Sequence, residues 1–313
     1  MVLKGLPRHL LSLMDYNAKE IEEIIRNAKL FKEKRRERAA ENVLKGKSIA
    51  LIFEKPSTRT RASMGVAVYE LGGQPFFYNK TELQLGRGEP IKDTVRVLSR
   101  YHDAIAARVL KHETLIEMAK YSSVPVINML SNLYHPLQAL ADYLTILEHK
   151  GKIKGVTIAF IGDGKDNVFN SLAIAGVKLG AKIIVASPPS YQPDPGFIED
   201  LKNAGSGTIT VVDDPRKAVK NAEVIYTDVF VSMGQEEERE ERLKAFLPEY
   251  QVNRQLLSYT TKDYIFMHCL PAFRGQEVTD EVIEDVEHSV VFEQAENRLH
   301  TAKAVLAYLL GGE

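Results

Sequence analysis

Cysteine is almost missing from this chain, with Cys269 the single one in 313 residues. That excludes an intramolecular disulfide framework and any zinc site built from several thiolates. An excess of one charge is missing too, since 41 lysines and arginines face 42 aspartates and glutamates. A nucleic-acid binder would show a basic surplus or stripe. No apolar run approaches the roughly 18 residues that cross a membrane. The N-terminal stretch interrupts its short apolar patches with Pro7, Arg8, His9 and Asp15, where a secretory signal would have an unbroken core. The eight histidines are scattered, with no pair at metal-ligand spacing. The expectation is a soluble cytoplasmic protein with no metal, no cofactor, and no nucleic-acid or membrane partner. Its length implies about two domains and a core that needs no covalent staples.

What is present is a regular alternation of β-rich runs and helical patterns, the mark of βαβ units and parallel sheets. Expected strands are Lys47–Phe53, Gln74–Phe77, Ala104–Ala107 and Val124–Ile127 in the first half. The second half adds Val156–Ile161, Lys182–Ala186, Thr208–Val212, Glu223–Thr227, Tyr264–Met267 and Val290–Phe292. Helices are expected at Ala18–Arg38, Pro90–Tyr101, His112–Tyr121 and His135–Lys150, with a last one at Ala295–Leu310. The segment Gly151–Gly155 separates the two sets. The fold class is therefore α/β, with two doubly wound parallel-sheet domains joined by interdomain helices. The first spans 1–150, the second 151–294, and the helix in 295–313 returns to the first. Two charged runs, at Lys32–Arg38 and Glu236–Arg242, read as solvated helix faces.

In open parallel sheets a ligand sits beyond the carboxyl ends of the strands, so the residues after each strand carry the information. After the first strand come Pro56, Ser57, Thr58, Arg59, Thr60 and Arg61, then a helix. A helix start offers free N–H groups and a positive dipole end, and arginine suits phosphate oxygens. Those residues would also make a well-capped helix with exposed arginines. Arg108 and Arg298 lie near other element ends, and His135 opens a helix at Pro136. Asp228 ends one strand of the second half, and Cys269 another. Neighbouring strand residues point to opposite faces, so His268 and Cys269 are poorly placed as a nucleophilic pair. Cys269 also fits a small buried hydrophobe. The turn Gly162-Asp163-Gly164-Lys165-Asp166-Asn167 is an incomplete dinucleotide fingerprint, with Asn167 in the third glycine's place.

Ser57-Thr58-Arg59-Thr60-Arg61 resembles the carbamoyl-phosphate motif of the aspartate/ornithine carbamoyltransferase family. Six further segments match in order: Gln84–Glu89, Arg108, His135-Pro136-Leu137-Gln138, Asp228–Gly234, His268-Cys269-Leu270-Pro271 and Glu296-Asn297-Arg298. The resemblance covers nearly the whole chain. It implies a first domain that binds carbamoyl phosphate through Ser57, Thr58, Arg59, Thr60, Gln84, Arg108, His135, Gln138, Cys269, Leu270 and Arg298. It implies a second that binds ornithine through Asn167, Asp228, Ser232 and Met233, with Arg108, His135, Asp228 and Cys269 at the reacting atoms. It further implies a homo-oligomer, a trimer or multiple of trimers, in which Gln84 reaches a neighbour's site. The chain departs from the family's pattern at Met64, Leu137, Asp166 and Phe230; the last replaces a usual tryptophan, a residue this chain lacks entirely. Aspartate, acetylornithine or putrescine are alternative acceptors of the same class, and Asp228 with Ser232-Met233-Gly234 favours ornithine. A nucleotide-dependent dehydrogenase would need the missing glycine, and a ligand-binding relative without catalysis would have lost an arginine or the histidine.

Overall fold

The computed structural model describes residues 7–37, 41–84, 88–232, 234–261 and 263–311. Met233 and residues 85–87 of the loop after the second strand lie outside the described residues. The first half runs α1 (Ala18–Arg36), β1 (Ser48–Phe53), α2 (Thr58–Glu70), β2 (Gln74–Asn79), α3 (Ile91–Tyr101), β3 (Ala104–Arg108), α4 (His112–Tyr121), β4 (Val126–Leu130) and α5 (Pro136–Lys150). The second continues with β5 (Thr157–Ile161), α6 (Asn167–Lys178), β6 (Lys182–Ala186), α7 (Pro195–Ala204), β7 (Thr208–Val212), α8 (Pro215–Val219) and β8 (Val224–Thr227). It closes with α9 (Arg239–Phe246), α10 (Arg254–Leu257), β9 (Ile265–His268), α11 (Asp280–Ile283) and α12 (Val291–Leu310).

Both sheets are parallel, one ordered β2-β1-β3-β4 and the other β7-β6-β5-β8-β9. Their central strands are largely apolar and buried because helices cover both faces. Strand order reverses between β1 and β3 in one sheet and between β5 and β8 in the other. Each reversal opens a crevice at the carboxyl edge, which is where such sheets bind ligands.

Local chemistry sets the helix ends. Asn17 and Glu20 form a reciprocal capping box at α1. Asp166 caps α6 by accepting from the Val168 N–H at 2.7 Å. Gly151 ends α5 with φ at 69°, a left-handed turn that glycine takes without strain. One apolar core passes from Ile24 of α1 through Leu144 of α5 and Leu172 of α6 to Ile183 of β6, so the halves share packing. Helix α12 lies against α1, α2 and α5.

Three sequence expectations change. Val290–Phe292 is no strand: the chain makes one bridge, Ser289 beside Phe266, and α12 begins at Val291, ahead of the expected Ala295. Three apolar residues fit a buried strand or a buried helix start equally well. The basic run in α1 is not wholly solvated either, because Lys32 is 4% exposed and donates to Glu148 at 2.9 Å and Asn297 at 2.8 Å. In the acidic run, Arg242 is buried and ion-paired with Asp163. Among the described residues no helix is long and apolar enough to cross a membrane.

Candidate active site

The two crevices face each other across one cavity of about 550 Å³. Its walls come from the residues after β1, the end of β3, the start of α5, the turns after β5, β8 and β9, and one turn of α12. That volume admits two small molecules together.

One end is cationic. Ser57, Thr58, Arg59 and Thr60 open α2, and Arg108 ends β3. The Ser57 side chain caps nothing, so its hydroxyl and the first N–H groups of α2 are open to a ligand. Arg298 approaches from α12 and donates to the Thr60 hydroxyl at 2.6 Å. Arg108 and Arg298 are each pushed down to about 10, first by burial, and both stay charged at neutral pH. Their Nε atoms are buried without a partner. Three clustered guanidiniums with unused donors form a site for a small polyanion.

His135 stands beside them, 3% exposed, its backbone N–H held by the Ser171 hydroxyl at 2.7 Å. Burial, reinforced by Arg298, Arg108 and Arg59, pushes its pKa well below the usual histidine range. The imidazole is therefore neutral at pH 7, and its Nδ1 has no partner.

The opposite end is acidic. Asp228 follows β8 and is 6% exposed. Burial and then Asp166 raise its pKa. Cys269 follows β9 and donates its S–H to Asp228 Oδ1 at 3.1 Å. Burial and Asp228 push the thiol well above its ordinary pKa, which excludes a resting thiolate. Ser232 donates to Asp166 Oδ2 at 2.9 Å, and Asn167 lies beside them on the wall. Leu270 turns the chain with φ at 58°, a rare angle for a branched residue, and its N–H donates to His268 Nδ1 at 2.9 Å.

Ligand atoms of Asp228, His268 and Cys269 come within 4.8 Å of one another, a grouping that sequence spacing does not reveal. It does not fit a metal. His268 uses Nδ1 to accept from Leu270 and Nε2 to reach Glu277 at 3.1 Å, leaving no ring nitrogen for an ion.

The fold thus gathers Ser57, Thr58, Arg59, Thr60, Arg108, His135, Asn167, Asp228, Ser232, Cys269, Leu270 and Arg298 around one cavity. Two candidates are elsewhere. Gln84 is exposed and away from this cavity, while Gln138 is wholly buried behind its wall. Sequence reading missed Asp166 as a wall residue and Arg242 as the partner of Asp163 and Phe230 behind the wall. Arg242 donates from Nε to the Phe230 carbonyl at 2.7 Å, anchoring the turn after β8. Its spacing of four from the apolar Phe246 on α9 was the available signal for an inward face.

A bilobal α/β protein with an anion pocket facing carboxylates across a shared crevice is the class these features define. Residues 8–148 match the carbamoyl-P binding domain of aspartate/ornithine carbamoyltransferase, and residues 154–309 match the Asp/Orn binding domain. The ornithine carbamoyltransferase of Thermococcus kodakarensis is 54% identical, with 100% of this chain and 99% of that protein aligned. The anabolic ornithine carbamoyltransferase of Pyrococcus furiosus is 55% identical over 100% of this chain and 99% of its own length. A solved structure of ornithine carbamoyltransferase from Pyrococcus furiosus superimposes with a TM-score of 0.93 at 54% identity, covering 100% of both chains. One from Thermus thermophilus gives 0.87 at 42% identity, covering 98% of this chain and 100% of the other. The chain belongs to the aspartate/ornithine carbamoyltransferase family.

Proposed function

We infer that this protein is an enzyme that transfers the carbamoyl group of carbamoyl phosphate to the side-chain amine of ornithine, giving citrulline and phosphate in arginine metabolism. The observation that carries the reading is the single cavity with three arginines at one end and Asp228 at the other. Residues 1–150 with α12 form the carbamoyl-phosphate side, and 151–294 the ornithine side. Ser57, Thr58, Arg59, Thr60, Arg108 and Arg298 hold the phosphate. Neutral His135 donates to the carbamoyl oxygen, and Leu270 closes over the group. Asn167, Ser232 and Met233 hold the α-amino-acid end of ornithine, and Asp228 orients its amine beside Cys269.

The neutral amine attacks the carbonyl carbon, a C–N bond forms, and the oxyanion collects against His135 and Arg108. Donors aimed at that oxygen stabilise the developing charge more than the ground state, which is what lowers the barrier. The bond from that carbon to the bridging oxygen then breaks, and phosphate leaves with the electron pair and the oxygen and accepts the remaining amine proton. An alkylamine of pKa about 10.4 is mostly protonated at pH 7. A carboxylate stabilises that charged form, so Asp228 binds and orients; the ammonium gives one proton to solvent before attack, and the leaving phosphate takes the second.

The working assembly in this reading is a cytoplasmic homotrimer or a multiple of it, with Gln84 reaching a neighbour's phosphate site. Exposed Val66 and Tyr69 on α2, and a groove of about 1030 Å³ against edge strand β2, support self-association on that face. The test is citrulline formation from ornithine and carbamoyl phosphate, before and after EDTA. Turnover that EDTA leaves unchanged is expected. Comparable turnover with aspartate would overturn the acceptor, and loss after EDTA would overturn metal-free chemistry.

A further inference from the structure

Behind the cavity wall, Asp142 of α5 is 0% exposed and accepts three hydrogen bonds. Gln138 Nε2 donates to Oδ1 at 2.8 Å, Gln294 Nε2 to the same oxygen at 2.7 Å, and the Tyr226 hydroxyl to Oδ2 at 3.3 Å. All three donors are neutral, so the carboxylate is held without a hydrogen-bonded counter-charge. Burial raises its pKa to about 7. A buried acid of this kind is commonly less stabilising than a well-packed neutral residue, which makes a purely architectural role a weak explanation.

In its deprotonated form Asp142 can only accept, and this dictates how each amide is turned. Gln138 must give Asp142 its NH2 end. The carbonyl end then points the other way, and Gln138 Oε1 is buried with no partner. Gln138 stands three residues after His135, on the same face of the first turn of α5, behind the cavity's cationic end. An orphaned buried acceptor beside a substrate cavity is costly unless a ligand donor meets it. Gln294 is tied to the same acid, and its own Oε1 accepts from the His268 N–H at 2.9 Å, one residue before Cys269.

We propose that Asp142 is a positioning residue of the transfer reaction, holding Gln138 with its carbonyl turned to accept an N–H from the carbamoyl group. The proposal rests on the carbamoyl-transfer reading above. Without the acid, the Gln138 amide is free to turn over and meet the carbamoyl NH2 with its own NH2. The same carboxylate then sets both the acyl group the site prefers and the strand end that carries Cys269.

Acetyl phosphate is the probe, because it replaces the carbamoyl NH2 by a methyl group and offers nothing to Gln138. Dissociation constants for carbamoyl phosphate and acetyl phosphate are measured by calorimetry on the whole enzyme, together with citrulline formation. Wild type is expected to favour carbamoyl phosphate. Asp142→Leu removes every acceptor at similar volume and should lower that preference about tenfold, to the level of Gln138→Leu, while acetyl phosphate binding moves less than about threefold. A merely structural loss would weaken both ligands alike and leave the ratio unchanged, and that outcome overturns the proposal. Should the leucine variant not fold, Asp142→Ser serves, since its hydroxyl is one bond too short to reach Gln138. If neither folds while Gln138→Leu does, Asp142 belongs to the fold and the proposal falls. No citrulline from wild type would instead overturn the carbamoyl-transfer reading itself.

Discussion

At the scale of single residues, burial has turned ordinary side chains into specific tools. His135 is neutral because it is buried and three arginines stand near it, so any hydrogen bond it gives a ligand comes from an uncharged ring. Cys269 is a thiol for the same reason of burial. We expect Cys269→Ser to lower kcat/KM by about tenfold at most, the loss of one hydrogen bond. The raised thiol pKa also means slow alkylation by iodoacetamide through pH 8, with the rate climbing only as the thiolate forms at higher pH. Fast labelling at pH 7, or total inactivity of the serine variant, would restore a nucleophilic role. The two ends of the cavity should separate in binding experiments. Arg59→Ala removes charged hydrogen bonds worth about 1.5–3 kcal/mol and should weaken carbamoyl phosphate far more than an ornithine analogue bound alone. Asp228→Asn should do the reverse, and calorimetry that finds the opposite pattern would overturn the division of labour. Asp228 was legible from sequence because it follows an apolar strand directly, and Arg59 because it opens the helix after one. Asp142 and Arg242 were not, since one lies in an apolar helix and the other in a charged run, and only their partners give them meaning.

At the scale of elements, the contact between α5 and α6 joins the halves. Gly176 sits where a Cβ would collide with the Tyr143 hydroxyl and would lie 2.7 Å from Ile183 Cδ1. The Tyr143 hydroxyl is itself engaged, donating to the Leu172 carbonyl at 2.8 Å. We expect Gly176→Ala to destabilise the protein by about 1–3 kcal/mol, because a packed interior has no room to yield. Thermal denaturation reads this directly, and an unchanged or higher melting temperature would show that α6 can shift outward. Periodicity located most elements, since parallel strands are short apolar runs between helical patterns. The expected strand Val290–Phe292 and the start of α12 were the exception. Val290, Val291 and Phe292 are apolar enough for either state, and the choice was made by the single bridge to Phe266 followed by packing of α12 on α1, α2 and α5.

At the scale of the whole molecule, the cavity is a property of two sheets meeting, and its remaining wall is predicted to come from another copy. Gln84 is exposed and away from its own chain's cavity. We expect Arg59→Ala and Gln84→Ala to be nearly inactive separately, and a refolded mixture to regain activity by pairing an intact Arg59 with an intact Gln84. No recovery, with hybrid trimers confirmed by native mass spectrometry, would mean that each site is built within one chain.

The sequence by itself determined the α/β class, the two parallel sheets and the chemistry of the strand ends. Strands buried on both faces must be apolar, and the polar residues that follow them stand out. Only the tertiary structure decided which of those residues share a cavity, which charges are neutralised, and how the amides are turned. Ionisation depends on burial and on neighbours distant in the chain, and so does the direction of a buried hydrogen bond. Asp142 is the plainest case: its partners Tyr226 and Gln294 are 84 and 152 residues away. No local pattern records that meeting, because it exists only once both sheets have packed against α5 and α12.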